Sequence, residues 1–62
     1  MKGVLIGRAN GIYNVYYDSI NQVVYSYALN ITIIGIKSIE QAIDRCAVNL
    51  INFIPLKRGD NK

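Results

Sequence analysis

The sequence predicts an α+β domain: a three- to four-stranded antiparallel meander sheet packed on one face by a single C-terminal helix, in the order β-β-β-β-α. Three observations predict it. From Gly3 to Ile36 the apolar residues come in short alternating runs rich in Val, Ile and Tyr, which suits pleated strands better than a helix. Asn10-Gly11 stands between the first two runs, and a type I′ hairpin turn needs the positive φ that both residues tolerate. From Ser38 the apolar period becomes helical, ending at Pro55.

Taken in order, residues 3–9 pair with residues 12–17 across the Asn10-Gly11 turn. A two-residue loop sets Ala9 against Ile12, Ile6 against Val15 and Val4 against Tyr17. Asp18-Ser19-Ile20-Asn21-Gln22 supplies the next turn, since Asp, Ser and Asn bond nearby backbone amides. Two registers are then open for the third strand, residues 23–28. A five-residue loop puts Val23, Tyr25 and Tyr27 on the helix-covered face; a four-residue loop puts Gln22, Val24 and Ser26 there. Burial favours the first, because a one-residue slip exchanges the faces of a strand. A tight turn at Leu29-Asn30 leads to residues 31–36, with Thr32, Ile34 and Ile36 on the covered face. Ser38-Ile39-Glu40-Gln41 reads as a capping box, and Ile39, Ala42, Ile43, Cys46, Ala47, Leu50, Phe53 and Ile54 share one helical stripe.

Size and composition bound the function. A chain of 62 residues with 52% hydrophobic and 18% charged side chains is one small globular domain, read as residues 1–56 with a basic flexible tail at 57–62. One cysteine and no histidine leave neither an internal disulfide nor a zinc set, so oligomerisation is the remaining way to reinforce a small core. The apolar run before Arg8 is too short for a signal-peptide core, which points to a cytoplasmic protein. The uncharged run from Ser19 to Ile36 is interrupted by polar residues and rich in β-branched ones, which argues against a membrane span.

Chemistry is sparse. Glu40 and Asp44 lie one helical turn apart on a polar face, Asp18 sits in a turn, and Cys46 falls on the buried stripe with no histidine to serve as its base. No catalytic residue, cofactor or metal is expected, and the chain reads as a non-enzyme. What stands out is the sheet face that one helix cannot cover. Its expected members include Leu5, Ile12, Asn14, Tyr16, Val24, Ser26, Ile31 and Ile33, with no charge among them, whereas a solvated sheet face normally alternates charged residues with core ones. Such a face is expected to be a partner-binding or oligomer interface, with a homodimer favoured.

The layout from Asn10-Gly11-Ile12-Tyr13 to Ala42-Ile43-Asp44-Arg45 resembles the three-stranded sheet and helix of the plant AP2 domain and of the arm-site domain of phage-type integrases. That resemblance implies DNA binding. Those domains read the major groove with cationic and polar side chains on the sheet, whereas the expected open face here offers Asn14 and Ser26 and no cation. Nucleic acid would have to be held weakly by Lys2, Arg8, Lys37, Lys57 and Arg58. The leading expectation is therefore a small oligomeric regulator or inhibitor of another protein, of the kind that mobile elements encode.

Overall fold

The computed structural model describes residues 3–56. Its elements are β1 (Val4–Ala9), β2 (Tyr13–Asp18), β3 (Val23–Ser26), β4 (Ile31–Ile33), α1 (Ile39–Asn49) and β5 (Phe53–Pro55). The strands form one antiparallel sheet in the order β4-β3-β2-β1-β5, with the helix on one face. Ile6, Val15, Tyr17, Val24 and Ile36 pack with Ala42 and Cys46 of α1, and Ile33, Ile39, Leu50 and Phe53 close the margins of this core. The expected meander and helix are present, and among the described residues no helix is long and apolar enough to cross a membrane.

The first turn forms as its sequence requires. Asn10 and Gly11 take φ of 54° and 73°, and the Ile12 N–H donates to the Ala9 carbonyl at 3.2 Å. The ladder beyond it differs. Val4 does face Tyr17, but Ala9 faces Tyr13 and Gly7 faces Val15, the extra residue being absorbed at an irregularity between Leu5 and Gly7. A bulge of this kind places two successive residues against one partner and bends the strand. It leaves Ile6 and Gly7 both buried.

The second turn reverses the expected register. Asp18 pairs with Val23 and Tyr17 with Val24, so the loop is four residues long. Asp18 holds this loop itself: Oδ1 accepts the N–H groups of Ile20 and Asn21 at 2.9 and 3.2 Å, and Oδ2 accepts the Asn21 amide at 2.8 Å. Gln22 then takes φ of 58° to return the chain. Burial could not discriminate the two registers, because all four residues of β3 are buried. Ile31 and Ile33 follow Val24 and Ser26 onto the helix side, and Thr32 follows Tyr25 onto the other. Ile36 reaches the core by a different route. Gly35, at φ 77°, turns the chain after β4, and the Ile36 carbonyl accepts the Tyr17 hydroxyl at 2.9 Å.

Helix α1 starts at the expected cap. Ser38 Oγ accepts the Gln41 N–H at 3.1 Å, while Gln41 Oε1 reaches back to the Lys37 N–H at 2.7 Å. Its end corrects the expectation of a helix running to Ile54. Leu50 is already extended, at φ −112° and ψ 141°, although its N–H still bonds the Cys46 carbonyl. Asn52 takes φ of 54°, and Phe53-Ile54-Pro55 becomes a strand against β1. The Asn10 N–H bonds the Asn52 carbonyl at 3.2 Å and the Leu56 N–H bonds the Ile6 carbonyl at 3.0 Å. Residues 52, 54 and 56 therefore face β1, so Pro55, which has no N–H to donate, faces outward on an edge strand where proline is tolerated.

Candidate functional site

The sheet face opposite α1 is left uncovered by the helix. Strand alternation puts Leu5, Arg8, Asn14, Tyr16, Tyr25, Thr32 and Ile54 on it, because Leu5 pairs with Tyr16, Tyr16 with Tyr25, Tyr25 with Thr32, and Arg8 with both Asn14 and Ile54. Its centre is an aromatic row. The Tyr16 and Tyr25 rings stack at 5.4 Å between centroids, and Tyr27 tilts against Tyr25 at 5.1 Å. Gly3 makes room for the row, since a Cβ there would stand 2.6 Å from the Tyr25 hydroxyl.

Tyr25 is buried within its own face, and burial, with Tyr27 next in weight, pushes its phenol above the ordinary value. It stays neutral and acts as a packed support for its neighbours. Tyr27 is 73% exposed and Ile54 63%, so both offer apolar area to solvent without taking part in the core. Among the described residues Arg8 is the one charged side chain on this face. Its Nε donates to Asn14 Oδ1 at 2.9 Å, and Asn14 Nδ2 donates to the Tyr16 hydroxyl at 3.3 Å. This chain of hydrogen bonds fixes the polar end of the surface and orients Tyr16.

Of the residues expected on the open face, Leu5, Asn14 and Tyr16 lie there. Ile12 stands at the hairpin tip, exposed. Val24 and Ser26 are corrections: both are fully buried on the helix side of the sheet, with Ser26 Oγ donating to the Asn14 carbonyl at 2.8 Å and accepting the Leu29 N–H. Ile31 and Ile33 are corrections too, half-buried on the helix side, where they line a groove of about 490 Å³ with Leu50, Arg45 and Asn49. The residues missed are Tyr25, Tyr27, Thr32 and Ile54. Cross-strand aromatic pairing could not have found them, since the five-residue loop would set Tyr13 against Tyr27 just as the four-residue loop sets Tyr16 against Tyr25.

Of the basic residues expected to hold nucleic acid, the structure describes two, and they lie in different elements. Arg8 is on the open face and Lys37 precedes the helix, while Lys2, Lys57 and Arg58 lie outside the described residues. The other reactive groups are structural. Hydrogen bonds from Asn21 hold the Asp18 carboxyl below the usual carboxylate range against the opposing effect of burial. Burial pushes the Cys46 thiol up to about 11, so it is protonated and inert at neutral pH. Among the described residues no three acidic, His or Cys side chains gather to hold a metal ion. Comparison of the chain with protein-family models, with curated proteins and with solved structures gives no match.

Proposed function

We propose that the chain is a non-enzymatic protein-interaction module, an oligomeric regulator or inhibitor that holds another protein on its open sheet face. One observation carries the reading: a five-stranded sheet presents the Tyr16-Tyr25-Tyr27 row, Leu5 and Ile54 on the side away from its helix, with Arg8 as the sole charge among the described residues. Tyrosine and arginine are enriched at protein interfaces because each combines apolar area with a polar tip, and charge is otherwise depleted at interface cores. The cytoplasmic setting and the mobile-element origin belong to the same reading.

Nucleic-acid binding is the second reading, favoured by the placement of Arg8 beside the aromatic row, where bases could stack. It is weaker because phosphate contacts carry most such affinity and this face holds one cation among the described residues. The test uses Tyr27→Lys with Ile54→Lys, two exposed positions outside the core. Host proteins retained by the immobilised wild type and released by the double variant are purified and titrated back. A direct complex that the variant loses supports the interface. A partner that binds both proteins equally sinks it.

A further inference from the structure

We propose that β4 is a docking edge for a second copy of this chain, the two copies pairing antiparallel about a twofold axis at Thr32 so that their sheets join into one. The proposal rests on the interaction-module reading and names the first partner of that module.

The direction of the edge groups follows from the ladder. The bonds from Leu56 to Ile6 and from Asn10 to Asn52 aim residues 6, 8 and 10 of the first strand at β5. Hydrogen-bonded and non-hydrogen-bonded pairs alternate in antiparallel sheets, so Gly7 and Ala9 bond across to Val15 and Tyr13. Tyr16 and Asp18 then bond across to Tyr25 and Val23, which leaves Val24 and Ser26 to bond Ile33 and Ile31. Ile31 and Ile33 are thus engaged inward. Thr32 directs its N–H and its carbonyl away from the sheet.

The two edges of the sheet are treated differently. At β5 the outward positions are Phe53 and Pro55, and Pro55, with no N–H to donate, interrupts strand addition there. Strand β4 is short, but it has no proline, no charge and no bulge. An open donor and acceptor at one residue attract an extended strand, and the sequence of β4 says which one. Ile31-Thr32-Ile33 reads the same in both directions. Antiparallel pairing about Thr32 sets Ile31 against Ile33 on the helix side and one Thr32 against the other on the open face. Both Thr32 hydrogen-bonding groups are then satisfied reciprocally, as an isologous twofold contact requires.

The groove beside β4 extends the contact. Its wall includes Ile34, 76% exposed, and its lip carries Arg45 and Asn49 from the helix. A strand added at β4 runs along the mouth of this groove and covers Ile34. The joined sheet also makes the two aromatic faces continuous.

Two measurements test the pairing. Sedimentation equilibrium compares the wild type, Thr32→Pro and Tyr27→Lys, with circular dichroism as the control for folding. Thr32→Pro removes an outward N–H and no bond within the sheet ladder, and proline is tolerated on an edge strand, so the expected result is a wild-type dimer whose dissociation constant rises about tenfold or more in Thr32→Pro. The second measurement needs no variant: exchange of the wild-type Thr32 amide should slow as protein concentration rises. A wild type that stays monomeric at tens of micromolar, or a Thr32 amide that exchanges freely at every concentration, overturns the edge. Dimers lost in Tyr27→Lys and kept in Thr32→Pro also overturn it, and in that case the open-face reading survives alone.

Discussion

Asp18 shows how one side chain can decide a register. It is 3% exposed and would be costly to bury as a free charge, but the two backbone amides and the Asn21 side chain donate to it. These bonds favour the ionised form, Asn21 foremost, and its pKa in the fold lies below its unfolded value of about 4. A lowered carboxylate pKa stabilises the fold fully above the unfolded value, and that contribution is lost as pH falls through the folded one. Thermal melts of the wild type and Asp18→Asn should therefore differ most near neutrality and converge below about pH 4. A gap that stays constant into acid would show that the carboxylate's charge does not matter to the loop. In the sequence Asp18 was recognisable as a turn residue. That it pairs with Val23 across a loop of four residues was not, because Val23, Val24 and Tyr25 are all apolar and all become buried.

At the scale of elements, β5 depends on a space left in β1. A Cβ at Gly7 would lie 2.5 Å from the Phe53 ring and 2.6 Å from the Ile54 carbonyl, a backbone atom that cannot swing away. Gly7→Ala should therefore destabilise the fold by about 1–3 kcal/mol, as overpacking generally does, and should loosen β5 first. Urea unfolding gives the magnitude, and amide exchange at Ile54 and Leu56 gives the location. Unchanged protection there would mean that the strand does not need the glycine. The strands, the Asn10-Gly11 turn and the Ser38 cap were legible because each has a local cause in its own residues. Strand β5 was not. Phe53 and Ile54 also fit the helical stripe, and Pro55 ends a helix as readily as it occupies an edge. What selects the strand is the bare backbone at Gly7, many residues away, together with the Asn10–Asn52 contacts, in which the Asn52 amide donates to Asn10 Oδ1 at 3.0 Å.

For the molecule as a whole, the division of the sheet into a covered face and an open one was legible, while the membership of the open face was half exchanged by the register of β3. The exchange leaves the face poor in charge but changes its chemistry. Small and aliphatic residues at Val24, Ser26, Ile31 and Ile33 give way to Tyr25, Tyr27, Thr32 and Ile54. Such a surface binds through apolar area and directed hydroxyls, so its affinity should respond to salt in a characteristic way. Complexes held by phosphate contacts weaken steeply between about 50 and 200 mM salt as counterions are released. Apolar burial is indifferent to simple salts and is strengthened by sulfate. Isothermal titration of the purified partner across that range should therefore show an affinity that holds steady in chloride and rises in sulfate. Loss of Arg8 should have little effect on that slope, because its guanidinium is engaged with Asn14 and no second cation among the described residues shares the face. A steep decline of affinity in chloride, relieved by Arg8→Ala, would instead identify the aromatic row as a stacking platform for nucleic acid.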